Sequence, residues 1–231
     1  MILKNYMYTA PEYFTKEEVA QIHQHAKTVP LDMGRTGHGQ EDPDSPPENE
    51  EVGVNNEIRQ SKVKWFTAPG PYQMPDNINE KIHAIVNQGM SECEWNFTLD
   101  FVENYQYTIY EHNPHLPTGD FYTWHTDHGG EIRNDTGMPH HRKISMTIQL
   151  SDPLDYEGGK FQWLEPNPQY DRIKFRDKKL DIDSAIRTLP FSAQAIGSIC
   201  LFPSWVYHQV TPVTRGTRIS IVGWYNGPPW T

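Results

Sequence analysis

The chain has 231 residues, 20 Lys and Arg against 30 Asp and Glu, a formal charge of −10, and 36% hydrophobic and 12% aromatic side chains. That balance argues against a non-specific nucleic-acid binder or a lipid-surface protein, which need clustered cations, and no run approaches the roughly 20 apolar residues of a membrane span. Two Cys (Cys93 and Cys200) cannot build a disulfide framework and Met1–Tyr6 has no leader pattern, so the expected compartment is a reducing cytoplasm.

In chain order, Thr15 with Glu18 three residues on reads as a capping box. Val19, Ile22, His23 and Ala26 follow at helical spacing, and Pro30 closes the segment. A second helix is expected from Asp76, with Ile78, Ile82, Ile85 and Val86 on one stripe and Gly89 at its end. Between the two, residues 33–55 are rich in Gly, Pro and acids and nearly devoid of large apolar side chains. They read as a mobile acidic loop, either a solvated insertion or a lid over a site.

From Trp95 onward the pattern is β. Residues 97–99, 105–110, 121–127, 144–150, 160–164, 198–202, 207–211 and 218–225 read as short strands between Gly, Pro and Asp clusters. Residues 165–190 form a charged excursion, with a helix expected near Asp183 to Arg187. The fold class is α+β, mainly β: one domain over 1–231, in which a helical support region (1–94) packs on a sandwich or jelly roll (95–231). No internal repeat is visible.

His125-Thr126-Asp127 sets an imidazole and a carboxylate at i and i+2, on the same side of a strand, where they can chelate one metal. Alone, this pattern is common by chance. His208 follows 81 residues later by subtraction of the two positions, and then Arg218-Ile219-Ser220. A reversal about Val213 would make His208 and Arg218 cross-strand neighbours. Arg218, Ser220, Val222 and Trp224 then share one face of the last strand, opposite Ile219 and Ile221. An Arg on an apolar strand needs a charged partner, and a ligand carboxylate is the natural one. Two His and one Asp form the facial triad of non-haem Fe(II) oxygenases, with open coordination positions for a 2-oxo acid whose far carboxylate an Arg can grip.

This order of residues closely resembles the Fe(II)- and 2-oxoglutarate-dependent dioxygenases, in particular their prolyl 4-hydroxylase-like branch. Gln106–Tyr110, Arg142–Ser145 leading to Leu150-Ser151, Glu157–Phe161 and Leu201–Ser204 support it, as does, more loosely, Arg59-Gln60-Ser61. The resemblance implies a double-stranded β-helix with His125, Asp127 and His208 as catalytic metal ligands at its open end. It implies Arg218, assisted by Ser220, on the distal carboxylate of 2-oxoglutarate, and Tyr110 lining the cosubstrate pocket. Gln149 stands where many prolyl hydroxylases carry an aromatic second clamp. Trp224 either closes that pocket or packs in the core, and Arg142 is either an ion-pair partner or a wall of the substrate channel. The implied cofactor is Fe(II), with 2-oxoglutarate and O2 as cosubstrates and ascorbate as a candidate reductant.

The leading expectation is hydroxylation of an unactivated C–H bond in a prolyl residue of a peptide or protein. The alternative is a free amino acid or other small molecule as substrate; the same fold used as a non-catalytic binding domain is the second alternative. A Zn hydrolase would leave Arg218 and Ser220 without a role. His112, His115, His128, His140 and His141 are expected as loop histidines, Cys200 as a small core residue, and Tyr122 on the strand face opposite His125. Nothing in the pattern specifies an oligomeric state.

Overall fold

A computed structural model describes residues 3, 5–35, 56–67, 70–112, 114, 118–129, 132–133, 137–165 and 185–229. Most of the loop at 33–55 and most of the excursion at 165–190 therefore lie outside the described residues.

Helix α1, Lys16–Ala26, starts on the expected capping box: Thr15 Oγ1 accepts from the Glu18 amide, and the Glu18 carboxylate accepts from the Thr15 amide. It buries Val19, Ile22 and Ala26 and ends four residues before Pro30. Helix α2 runs Asp76–Glu92, past Gly89 instead of stopping there. Gly89 is a packing glycine, since a Cβ at this position would sit 2.6 Å from Leu201 Cδ1 and 2.9 Å from Tyr8 Cδ1.

The strands make two facing antiparallel sheets. The larger contains β1 (Tyr8–Ala10), β13 (Ile199–Pro203), β9 (Pro139–Gln149), β16 (Thr217–Gly227), β6 (Tyr105–Glu111), β4 (Lys62–Phe66) and β2 (Asp32–Met33) in that spatial order. Two short strands lie off this path: β5 (Phe101–Val102) on β16 and β8 (Ile132–Arg133) on β9. The smaller is β12 (Ile186–Thr188), β11 (Phe161–Leu164), β14 (His208–Val210), β7 (Phe121–His125) and β3 (Arg59–Gln60). A separate ribbon pairs β10 (Glu157–Gly158) with β15 (Val213–Arg215). This is a mainly β jelly roll with two helices. Among the described residues no helix is long and apolar enough to cross a membrane.

Alternation along the central strands divides the core into two layers. Ile144, Met146 and Ile148 on β9, Ile199 and Leu201 on β13, Ile221 on β16 and Tyr105 and Tyr107 on β6 join the apolar stripes of both helices in one cluster. Each fully buried Ile contributes ~2 kcal/mol by removal from water, so this layer anchors the helices to the outside of the larger sheet. The second cluster fills the space between the sheets, with Tyr110, Phe161, Phe202, Val210 and Val213 among its members. The site lies at one end of that inner layer.

Four expectations change. The region before residue 95 contributes strands β1 to β4 as well as helices, because Val63 and Phe66 bury into the larger sheet. Residues 97–99 form no strand; the nearest one is β5. Of the helix expected near Asp183 to Arg187, Asp183 and Ser184 lie outside the described residues and Ala185 is 3-10 helical, but Arg187 lies on β12, paired with Trp163. His208 and Arg218 are not cross-strand neighbours: β14 pairs with β7 and β11, whereas β16 pairs with β6 and β9. The chain between them detours into β15, which β10 captures, and Gly216 at φ +71° turns it into the other sheet. The two residues face each other across the cavity instead.

Candidate metal and cosubstrate site

His125 ends β7 and His208 opens β14, and the ladder sets them directly opposite each other. Asp127 lies two residues beyond β7, where its amide donates to the Ser204 carbonyl at 2.9 Å and ties the turn to the end of β13. Nε2 of His125 stands 3.6 Å from one Asp127 carboxylate oxygen and Nε2 of His208 stands 3.5 Å from the other. The ligating atoms of the three residues all lie within 4.8 Å of one another.

Both rings are locked from behind. Nδ1 of His125 lies 2.7 Å from the Thr123 carbonyl oxygen, and Nδ1 of His208 lies 2.9 Å from that of Val206. A carbonyl only accepts, so each Nδ1 carries its ring's proton and each Nε2 presents a lone pair toward the carboxylate. Burial and neighbouring His125 depress His208 to about 4, which keeps it neutral. Burial alone would raise the Asp127 carboxyl, but His208, His125 and Arg142 together hold it well below its ordinary range. Two imidazoles and a carboxylate, with their ligating atoms converging, make a donor set that can hold a cation between them. The residues present fit a divalent metal with nitrogen and oxygen ligands.

A partly open cavity adjoins this cluster, and His125, Asp127 and His208 all line it. Arg218, Ser220, Val222 and Trp224 line it from β16, in the alternation expected from the sequence. Arg218 is 2% exposed and has no ion-pair partner among the described residues. Its NH2 donates to Gln149 Oε1 at 3.0 Å and its NH1 lies 3.4 Å from Ser220 Oγ, both neutral groups. Its guanidinium carbon is 5.8 Å from the Tyr110 ring centroid. Gln149 Nε2 and Trp224 Nε1 are buried donors without an acceptor among the described residues. An unpaired cation with the orphaned Gln149 amide beside it calls for an anionic acceptor, and the distal carboxylate of a dicarboxylate fits.

Arg142 is an ion-pair residue and does not line the cavity. Its Nε and NH2 grip the two oxygens of Glu103 at 2.7 and 2.6 Å, and Glu103 also accepts from Asn226. His140 and His141 lie on β9 and not in a loop. His140 is buried between the Asp100 carboxylate and the Met138 carbonyl, while His141 stacks on His128 at 5.5 Å. Cys200 is a buried core residue.

The pocket also contains residues that pattern reading missed. Tyr122 stacks on His125, centroids 3.5 Å apart and planes at 12°, although strict alternation sets the two on opposite faces. The register explains this: His208 pairs with His125 but Val210 pairs with Tyr122, so β7 carries one extra residue. Such a bulge turns i and i+3 to the same side, and nothing in the local composition announces it. Arg59, Gln106, Thr147 and Phe161 line the cavity as well. Arg59 was visible only as part of a three-residue stretch of the resemblance.

This geometry defines a jelly-roll protein of the non-haem metal class. The 2OG-Fe(II) oxygenase superfamily model matches residues 105–226, more than half of the chain. The chain belongs to that superfamily, whose enzymes are dioxygenases using Fe(II), 2-oxoglutarate and O2. Among named relatives, a PKHD-type hydroxylase of Hyphomonas neptunium is 31% identical over 106 residues, 46% of this chain and 38% of that protein. One from Synechococcus sp. is 35% identical over 108 residues, again 46% of this chain and 36% of that protein. The matched segment thus spans little more than a third of those relatives.

Solved structures agree in fold. A Pseudomonas putida prolyl-4-hydroxylase superimposes with a TM-score of 0.58 at 15% identity, covering 98% of this chain and 95% of that one. The 2-oxoglutarate-dependent epimerase SnoN gives 0.58 at 13% identity, covering 96% and 78%. A hydroxylase and an epimerase on one fold show that the backbone alone does not name the substrate.

Proposed function

We propose that this protein is a 2-oxoglutarate-dependent dioxygenase that hydroxylates an unactivated C–H bond, with a prolyl residue of a peptide or protein as its substrate. The observation that carries this reading is the unpaired Arg218 facing the His125, Asp127 and His208 cluster across a single cavity. Iron bound there, with 2-oxoglutarate and O2, supplies oxidative decarboxylation to succinate and CO2 coupled to hydroxylation of the substrate. The three ligands leave coordination positions open for the keto-acid end of the cosubstrate. Arg218, with Gln149 and Ser220 beside it, grips the distal carboxylate. Tyr110 and Trp224 wall the cosubstrate, and Phe161, Val210 and Val222 keep the cavity apolar enough to exclude water. The prolyl assignment is supported by the prolyl-hydroxylase neighbours and the PKHD-type relatives. We read the chain as one domain, since β1 to β4 complete the sheets that carry the site.

Succinate formation from 2-oxoglutarate is the test. It should require Fe(II) and disappear in His125→Ala. Turnover with a proline-rich peptide, compared with free L-proline, then separates the leading substrate from the small-molecule alternative. Turnover of the free amino acid alone would sink the prolyl-peptide version, and no turnover under any condition would favour a non-catalytic binding domain.

A further inference from the structure

The cavity holds a second arginine that the proposed chemistry leaves unused. Arg59, on β3, is 5% exposed and lines the cavity from the sheet opposite Arg218. Its Nε donates to Ser61 Oγ at 2.8 Å, its NH1 to the Arg35 carbonyl at 3.1 Å and its NH2 to Gln106 Oε1 at 2.7 Å. All three acceptors are neutral, and among the described residues no carboxylate pairs with it. A guanidinium has five N–H donors, so two remain. Its carbon lies 4.8 Å from the centroid of Tyr122, the ring that stacks on His125. The charge therefore stands one aromatic ring away from the metal cluster.

Arg59 is fixed before any ligand arrives. The Gly34 amide donates to the Ser61 carbonyl at 2.8 Å, and a Cβ on Gly34 would fall 2.1 Å from Ser61 Oγ and 2.7 Å from Arg59 Nε. The main chain thus passes directly against the inner end of the guanidinium. A buried cation held by neutral acceptors is only partly compensated, and a preorganised one is what a binding site uses to lower its ordering cost. One 2-oxoglutarate satisfies Arg218 with its far carboxylate and the metal with its near end. Arg59, on the other sheet, is left for the other ligand.

We propose that Arg59 is a second anion-binding point of this pocket and that it receives a carboxylate of the primary substrate. The inference rests on the oxygenase reading above and narrows its substrate class to molecules with a carboxylate near the target C–H. The carboxylate belongs either to a free amino acid or to an acidic residue beside the target in a peptide.

Two matched pairs of probes test it: L-proline against L-prolinamide, and the tripeptide amide Gly-Pro-Glu against Gly-Pro-Gln. Binding is measured by titration calorimetry on the metal-loaded protein with 2-oxoglutarate, and coupled succinate release is measured in parallel. A charge-assisted hydrogen-bond pair predicts that in one of the two pairs the acid binds at least about tenfold tighter than its neutral partner. The pair that shows the preference identifies the source of the carboxylate. In Arg59→Gln the preference should collapse to about unity, and the 2-oxoglutarate KM should move less than that ratio does. Arg59→Lys, which keeps the charge without the fork, should retain part of it and serves if the Gln variant does not fold.

The proposal is overturned if neither pair shows a preference, including by neither member binding, or if Arg59→Gln leaves the preference intact. It is also overturned if the variant raises the 2-oxoglutarate KM by more than it changes the ratio, which would assign Arg59 to the cosubstrate. Failure of the wild type to form iron-dependent succinate would remove the oxygenase reading instead. An acid preference lost in Arg59→Gln by calorimetry would survive that result.

Discussion

The guanidinium of Arg142 stacks on the indole of Trp224, its carbon 4.1 Å from the ring centroid, while its nitrogens hold both oxygens of Glu103. The Glu103 amide donates to the Trp224 carbonyl, so the pair and the ring brace one another. Arg142 thus acts on the cavity through Trp224, as a positioning residue. Glu103→Gln leaves a largely buried cation uncompensated and should destabilise the protein by about 3 kcal/mol, toward the low end for such pairs because both side chains keep some solvent. Replacing both residues with Met and Gln should cost less than the sum of the single changes. Urea unfolding of the four members of this cycle measures the coupling, and tryptophan fluorescence differenced against the same variants carrying Trp224→Phe reports whether the ring has moved.

The metal cluster carries the sharpest expectation. Asp127→Asn preserves shape but removes the anion that two Nε2 lone pairs face. Metal affinity should fall by at least about 100-fold, beyond the loss typical of residues that only support a ligand. Metal content after dialysis, measured by elemental analysis, checks this independently of turnover. Retention of a full equivalent of iron by the variant would contradict the ligand assignment.

Arg218 should govern the cosubstrate. With its charge and fork removed, Arg218→Ala should raise the 2-oxoglutarate KM by roughly 100-fold or more, the cost of a buried charge-assisted pair. Arg218→Lys should recover only part of that, because an ammonium cannot reproduce the bidentate geometry. Gln149→Leu removes one neutral acceptor of Arg218 and one orphaned donor, so a rise of about tenfold or less is expected. Initial rates of succinate formation at varied 2-oxoglutarate give all three.

The parts of this site that could be read from sequence are those whose spacing is local. Arg218 to Trp224 keep strict alternation, so their common face followed directly, whereas Asp127 reaches His125 from the turn beyond β7 and not from the expected strand face. The placement of His208 against Arg218 depended on a hairpin that β15 does not form, because β10 captures it from 55 residues earlier in the pairing of Gly158 with Val213. Tyr122 depended on a bulge, and Arg59 on the pairing of β3 with β7. Those are properties of long-range register. A single-residue slip reverses which face a side chain takes, so local pattern cannot supply them.

Acid should destabilise the metal-free protein through half-buried His83 and buried His208. His83 Nδ1 lies 2.8 Å from Tyr225 OH and the two rings pack edge-on; burial lowers the His83 pKa. His208 is depressed to about 4 by burial and by His125. A histidine depressed in the folded state takes up its proton in the unfolded chain first, from an ordinary value of 6.5. The unfolded state then binds more protons, so stability falls as pH drops below about 6.5 and continues to fall toward about 4. Tm of the metal-free protein across this window should decline, and His83→Gln should flatten its share of the slope. A flat wild-type profile would contradict the neutral state of both rings.

The turn before β11 gives a route to Arg218 that touches no ligand. Gly159 sits at φ +55°, and a Cβ there would lie 3.0 Å from Arg218 Cδ, 3.1 Å from Val213 Cγ2 and 3.4 Å from a Tyr156 ring carbon. Gly159→Ala therefore combines an unfavourable backbone conformation, about 1 kcal/mol, with pressure on the stem of the cosubstrate arginine. Val213 is fully buried, so the flexible Arg218 stem is the neighbour that yields. The variant should unfold at lower urea by that amount and raise the 2-oxoglutarate KM several-fold, while metal content stays at the wild-type level. Gly137→Ala is the control: its φ is +76°, but a Cβ there meets nothing within 4 Å. It should show the backbone cost without the KM effect, and a matching KM rise in that variant would refute the steric route through Arg218.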